Sequence, residues 1–206
     1  LGRPVRWVST RGEAFLTDAH GRDQVSSAEL ALDAEGRILA LRCETLGNLG
    51  AYASALGAGV LTKGFAKTLG HCYRVPVLHL SAKAVYTNTA PTDAYRGAGK
   101  PESEYLVERL VEKAARVLGE DPIAFRDRNL VTPEEMPYRA ANGFPYDSAD
   151  FPAVMAKAVE ASDRAGFDDR RRESEARGFQ QHLACLRRVA AGEMQIEADA
   201  PAAPEA

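Results

Sequence analysis

The residues best suited to chemistry lie in one stretch, Tyr86-Thr87-Asn88-Thr89-Ala90-Pro91-Thr92-Asp93-Ala94-Tyr95-Arg96-Gly97-Ala98-Gly99-Lys100-Pro101-Glu102. It leaves a β-rich segment, passes through a loop in which Gly97 and Gly99 follow Arg96, and enters a helix marked by Pro101. Several backbone N–H groups then converge near a helix N-terminus, a place that suits oxygen anions. Arg96 adds a charged fork, and Gly97 and Gly99 let main chain approach a ligand with no Cβ between. A Walker A loop would need glycine at Ala94 and a hydroxyl at Pro101, and a dinucleotide fingerprint would need glycine at Glu102; the stretch fits neither. On spacing alone a plain turn is favoured, with Arg96 solvated and Glu102 and Glu104 complementing the helix dipole.

The flanking elements must hold this loop. Val25–Leu32 and Arg37–Leu46 alternate around the turn Asp33-Ala34-Glu35-Gly36 and predict a β-hairpin, with Val25, Ala28, Leu30 and Leu32 as the apolar set of its first strand. Gly47–Gly64, rich in glycine and alanine, reads as loop with short helical pieces. Val75–Val85 reads as a half-buried strand. From Pro101 to Gly119 the stripe Val107, Leu110, Val111, Ala114 and Leu118 predicts a helix, and Asp121-Pro122 opens another through Arg128. Pro133–Asp147 is irregular, and Asp150 caps a helix with Phe151, Val154, Met155, Ala158 and Val159 on one face, closed by Gly166. Mixed strands and helices without regular βαβ alternation give an α+β fold. Residues 1–167 form the folded domain; residues 168–206 follow as a charged helical segment and a tail whose composition predicts disorder.

The other candidates read as structure. His71 adjoins Cys72, but neighbours seldom face one metal and no third ligand is evident. His20 and His79 belong to loop and strand, and Ser9, Ser26 and Ser81 lack a nucleophile elbow. Glu134-Glu135 and Asp168-Asp169 are solvated acid pairs, while Trp7 and Phe15 are core or interface anchors. The 206 residues are 45% hydrophobic and 27% charged, which suits one globular domain and excludes disorder of the whole. With 26 basic and 29 acidic residues, the net charge of −3 implies no nucleic-acid or membrane partner. The longest apolar stretch is too short to span a bilayer, and three dispersed cysteines exclude a zinc knuckle or iron–sulfur cluster within the chain and fit a reducing, cytoplasmic setting.

The run Thr-Asn-Thr-Ala-Pro-Thr-Asp-Ala-Tyr-Arg-Gly-Ala-Gly-Lys-Pro-Glu resembles the molybdenum-facing loop of the large subunits of molybdenum hydroxylases, the relatives of xanthine dehydrogenase, aldehyde oxidase and carbon monoxide dehydrogenase. The resemblance extends in family order through Gly2-Arg3-Pro4-Val5-Arg6-Trp7, Glu13, His20-Gly21-Arg22-Asp23, Gly50-Ala51-Tyr52, Tyr73-Arg74-Val75-Pro76, Asp121-Pro122 with Arg126 and Asn129, and Gly143 with Tyr146-Asp147. It implies the mixed sheet and helices of the first molybdenum-cofactor-binding domain. It further implies a molybdenum-pterin cofactor, as molybdopterin cytosine dinucleotide, with the main chain of Arg96 beside the molybdenum and Tyr95, Gly97, Ala98 and Gly99 shaping the same wall. The metal would supply nucleophile and electron sink, the protein position and electrostatics.

The same resemblance implies an iron–sulfur subunit, an FAD subunit and the rest of the large subunit as partners. Carbon monoxide-oxidising members hold copper on a cysteine where this chain has Gly97, so carbon monoxide is disfavoured. Purine-oxidising members carry phenylalanine at Ala98 and an arginine near Gly64 and Lys67, so purines are disfavoured too, leaving aldehydes or other N-heterocycles. The family's glutamate base and its glycine-rich loop around a phenylalanine have no counterpart here, which leads to the expectation of a fragment, natural split or frame-shifted product without turnover of its own. A non-catalytic remnant, an assembly module and a phosphate-binding domain of another family stand as rivals.

Overall fold

The computed structural model describes residues 2–164 and 166. The predicted charged segment and tail, 168–206, and the closing Gly166–Phe167 boundary therefore lie almost wholly outside the described residues. The fold is α+β. The chain divides after Ala153, and everything that bears on the loop lies in the first part.

Helix α1, Arg11–Thr17, opens on a capping box: the Glu13 carboxylate accepts from the Thr10 N–H at 2.8 Å, and the Glu13 N–H donates to the Thr10 hydroxyl at 3.4 Å. The T-x-x-E spacing that encodes it is legible in the sequence, and the helix is an addition to the elements expected above. Strands β1, Gln24–Leu32, and β2, Ile38–Gly50, form the expected antiparallel hairpin, and β3, Val77–Tyr86, lies parallel to β2 on its other edge. The sheet order is β1-β2-β3, so β2 is central and carries the buried side chains Ile38, Leu41, Cys43 and Thr45.

Two expectations fail at the strands. Gly47–Gly50 is not loop but the buried end of β2, paired with β3 up to Gly50↔Tyr86. Its glycines are small because neighbours sit close: a Cβ on Gly47 would lie 2.8 Å from Leu61 Cβ. Val25 is out of parity with Ala28, Leu30 and Leu32, and with period-two geometry it faces outward, 74% exposed. The half-buried face of β1 begins instead with the polar pair Gln24 and Ser26.

Across the β2 glycines pack α2, Gly57–Gly59, a π-helical turn, Val60–Gly64, and α3, Phe65–Thr68, with Val60, Leu61 and Phe65 buried. Helix α4, Lys100–Leu118, starts one residue earlier than predicted, with Gly99 as N-cap, and ends at Gly119 in the left-handed conformation. Its deepest line is Ser103, Val107, Val111 and Ala115, while Leu118 is exposed. Ser103 is admitted because its hydroxyl is 2.5 Å from that of Thr68 and donates to the Lys100 carbonyl at 2.9 Å.

Helix α5, Pro122–Asn129, is capped by the Asp121 carboxylate, which accepts from the N–H groups of Ile123 and Ala124 at 2.8 and 3.1 Å. The excursion after it holds a 3-10 turn, Pro133–Glu135, and a two-residue hairpin of β4, Tyr138–Arg139, and β5, Pro145–Tyr146. Helix α6, Phe151–Ala161, begins at Asp150 as expected, but it ends before Gly166 and none of its residues is buried. No helix among the described residues is long and apolar enough to cross a membrane.

Candidate functional site

The loop between β3 and α4 is built in two halves, each held by a different part of the chain. Asn48, at the buried end of β2, organises the first. Its side-chain oxygen accepts from the Gly50 N–H and the Thr87 hydroxyl, both at 2.7 Å. Its amide donates to Asp23 at 2.6 Å and to the Thr89 hydroxyl at 2.8 Å. The buried Thr92 hydroxyl donates to the Asn48 carbonyl, and the main chain of His20 brackets Thr92 through His20 N–H to Pro91 O and Asp93 N–H to His20 O, each 2.8 Å. With every bonding group of Asn48 occupied, residues 87–93 have one conformation to adopt.

The second half carries the predicted site. Gly97, Ala98 and Gly99 all have positive φ, at 89°, 48° and 93°. A Cβ on Gly99 would collide with the carbonyl of Val60 and stand 2.6 Å from Phe65 N, while one on Gly97 would stand 2.6 Å from the Pro101 ring. The Ala98 carbonyl in turn occupies the space a Cβ on Gly64 would need. This corrects one expectation. The space freed by Gly97 and Gly99 is filled by the chain itself, locking the turn onto the π-helical segment and onto Pro101, and is not an opening left for a ligand. Ala98 is the only residue of the three that pays the steric cost of a left-handed backbone with a side chain attached.

Arg22 closes the arrangement. Its Nη2 donates to the Arg96 carbonyl at 2.7 Å, its guanidinium carbon lies 4.8 Å from the centre of the Tyr95 ring, and its Nε is 3.7 Å from Glu102. Gly21 beside it must be glycine, since a Cβ there would lie 2.6 Å from Tyr95 Cβ. No role for Arg22, Gly21 or Asn48 is legible from spacing; Gly21 and Arg22 stand in a family-like motif, and Asn48 stands in none.

What the loop offers outward is donors. Residues 94–97 are exposed. Among the described residues the N–H groups of Tyr95, Arg96 and Gly97 donate to no protein acceptor, and neither the Arg96 guanidinium nor the Lys100 ammonium is paired. These groups stand at the N-terminus of the 19-residue helix α4, where the backbone already favours negative charge. The donor set fits an oxygen-rich anionic group such as a phosphorylated pterin cofactor. It offers no thiolate or imidazole, so among the described residues this face supplies surroundings for such a group.

The remaining candidates separate from this site. His71 Nδ1 accepts from the Cys72 N–H at 2.8 Å, and no cluster of three His, Cys, Asp or Glu side chains able to hold a metal occurs among the described residues. Burial pushes the Cys72 thiol up to about 12, with Glu108 adding to it, and burial pushes Cys43 up to about 11. Both are poor nucleophiles in the fold. Trp7 and Phe15 are each 66% exposed and so belong to no core of this chain.

Residues 1–130 match the family model of the molybdopterin cofactor-binding domain. The carbon monoxide dehydrogenase large chain of Afipia carboxidovorans is 37% identical over 179 residues, covering 86% of this chain and 22% of its own length. Subunit gamma of the 6-hydroxypseudooxynicotine dehydrogenase complex of Paenarthrobacter nicotinovorans is 36% identical, covering 79% of this chain and 21% of its own. The crystal structure of quinoline 2-oxidoreductase from Pseudomonas putida 86 superposes with a TM-score of 0.79 at 34% identity, over 86% of this chain and 23% of that one. The chain thus spans about a fifth of the length of these relatives.

Proposed function

We propose a function from one established premise: the chain belongs to the molybdopterin cofactor-binding domain family of molybdenum-containing oxidoreductases. It serves as part of the molybdenum-binding subunit of an enzyme that hydroxylates aldehydes or N-heterocycles with oxygen drawn from water. The observation that carries this reading is the exposed donor face of Tyr95, Arg96 and Gly97 at the head of α4, with Arg96 and Lys100 unpaired beside it.

When bound, the molybdenum-pterin cofactor, as the cytosine dinucleotide, supplies the redox chemistry and the activated oxygen. The chain holds and orients it. The N–H groups of Arg96 and Gly97 would hold its metal end, with Tyr95, Ala98 and Gly99 shaping the same wall, and Arg22, bonded to the Arg96 carbonyl, keeps the Gly97 N–H in one direction. Lys100 and the Arg96 side chain compensate anionic charge. Rigid placement of these donors before the group arrives is what lets a protein contribute to such chemistry.

The substrate class follows from the small side chains here. Gly97 provides no sulfur for a second, soft metal, and Ala98 leaves no aromatic plate for a purine. Relatives named for quinoline and for a nicotine derivative favour N-heterocycles. The glutamate base, the iron–sulfur and FAD subunits and the rest of the large subunit complete the enzyme, residues 1–167 act as one domain of it in the cytoplasm, and the chain alone does not turn over. Metal analysis tests the reading: co-expressed with the rest of its subunit, the chain should co-purify with stoichiometric molybdenum. A metal-free monomer under those conditions would identify a non-catalytic remnant.

A further inference from the structure

Between the start of β1 and the first two turns of α4 lies a cavity of about 470 Å³, with Arg22, Gln24 and Ser26 on one wall and Glu102 and Tyr105 on the other. Two buried acceptors in this wall have no donor: Gln24 Oε1 and Glu102 Oε2. The Glu102 side chain is only 8% exposed, and its other oxygen faces Arg22 at 3.7 Å. Gln24 gives one amide N–H to the Thr45 hydroxyl at 3.2 Å, and its oxygen is left without a donor. Buried polar atoms of folded proteins are nearly always paired, and those left unpaired in one chain mark where a partner belongs.

Both unpartnered atoms of this wall are acceptors, which selects the ligand. It must donate, and because one acceptor is a carboxylate it should be cationic. A hard metal ion would want several oxygen ligands in a closed shell, and this wall offers one carboxylate and one amide oxygen. A guanidinium fits better: its donors are arrayed around a plane, it sheds water readily, and the exposed Tyr105 ring, 69% accessible, gives that plane a face to lie on.

We infer that this cavity is the seat of an arginine side chain carried by a polypeptide segment outside this chain. The choice of source rests on the reading above, in which the chain is one part of a large subunit whose relatives are nearly five times as long. Seated there, the arginine shares Glu102 with Arg22 and so bears on the clamp that holds the Arg96 peptide.

The test uses Nα-acetyl-arginine amide as the probe and saturation-transfer NMR as the readout, on the 206-residue chain and on the complete large subunit. The chain should bind it saturably in the millimolar range. Glu102→Gln and Gln24→Leu should each weaken binding about fivefold or more with an unchanged circular dichroism spectrum, as should replacing the probe by its neutral citrulline analogue. The complete subunit should not bind it, its own arginine filling the site. Absence of saturable binding to the chain, or equal binding by both variants, overturns the cavity. Equal binding by the complete subunit overturns the polypeptide source in favour of a free solute, and a dimer of the chain that Glu102→Gln dissolves overturns it in favour of a second copy. None of these readouts involves molybdenum, so the cofactor reading stands or falls separately on metal content.

Discussion

The guanidinium of Arg22 donates to the carbonyl of Arg96, 74 positions further along the chain, at 2.7 Å, while lying over the ring of the residue before it. One side chain thereby fixes both the direction of the Arg96 peptide and the position of Tyr95. Because a peptide is planar, holding the carbonyl that follows Arg96 also holds the N–H of Gly97 on the opposite edge.

Removing that clamp should loosen the loop more than it unfolds the chain. Arg22 is about a third exposed, so Arg22→Ala is expected to cost on the order of 1 kcal/mol in urea unfolding. Cleavage of residues 94–97 by a nonspecific protease should accelerate severalfold, and molybdenum retention by the assembled subunit should fall. Arg22→Lys keeps the charge but not the fork, and should behave nearly like alanine in the protease assay. Equal cleavage rates would show that the loop is held without Arg22.

The glycines of the same loop should rank by what stands in the way. Gly99→Ala drives a Cβ into the backbone of Val60 and Phe65 at a φ of 93°, whereas Gly97→Ala meets the Pro101 ring at a φ of 89°. The Pro101 ring, closed onto its own backbone nitrogen, can yield only by a change of pucker, while the Gly99 Cβ meets the main chain of two residues in another segment. Gly97→Ala is expected to cost about 1–3 kcal/mol from its backbone conformation and contact, and Gly99→Ala more, enough to deplete soluble chain. Thermal midpoints of the two variants check the order, and the reverse order would refute the packing described.

How much of this was readable beforehand depended on how far apart the cooperating residues lie. The hairpin, α4 and α5 follow from local signals: alternation around Asp33–Gly36, an apolar stripe ending at Gly119, an Asp-Pro cap at Asp121. The α1 capping box is local as well, but no apolar period follows it, so spacing alone predicts no helix there. The clamp by Arg22, the hub at Asn48 and the reason for Gly64 join residues dozens of positions apart and leave no period in the sequence. Val25 misled for a related reason. A single apolar residue at a strand end weighs less than the parity of the strand, and here the inward positions are the polar Gln24 and Ser26 because the face they meet is a cavity and not core.

Acid should act on the α4–α5 contact. Burial tends to raise the Glu112 carboxyl, but hydrogen bonds and charge from Arg116 and Arg126 outweigh it and hold the group below its ordinary 4.5. A carboxylate depressed in the fold contributes stability that is complete above the unfolded value and is lost as the pH falls through the folded one. The contribution should therefore be constant from pH 7 to about 5 and decline below about 4.5. Denaturation curves of Glu112→Gln should run parallel to wild type at pH 5–7 and converge with it toward pH 3; a constant gap down to pH 3 would exclude the linkage.

Thiol chemistry offers a check on the core. With Cys43 and Cys72 raised to about 11 and about 12, almost no thiolate exists at neutral pH. In a Cys185→Ser background, Cys43 and Cys72 should resist iodoacetamide at pH 7.5 in the folded state, and both should react in urea at the rate of ordinary thiols. Rapid labelling without denaturant would place one of them outside the interior assigned to it.

Asn129 is the joint between α5 and the hairpin turn, and its three bonds make a sharper prediction than its type would suggest. Its side-chain oxygen accepts from the Ile38 N–H at 2.9 Å, and its amide donates to the carbonyls of Gly36 and Phe125, both at 3.0 Å, with 2% of the residue exposed. Asn129→Ala strands a buried donor and two carbonyls at once, so about 2–4 kcal/mol should be lost. Asn129→Asp keeps the acceptor for Ile38 but sets a carboxylate against two carbonyl oxygens, which should cost at least as much at pH 7. That burial and repulsion raise the introduced carboxyl above its unfolded value, so the destabilisation should shrink as the pH falls, when a proton restores one donor. Alanine has no such proton to gain. A pH-dependent gap between the two variants, moving toward pH 4 in favour of Asn129→Asp, would identify side-chain donation, with Gly36 as its acceptor across the joint, as what binds helix to turn, whereas a gap independent of pH would assign the joint to the Ile38 bond alone.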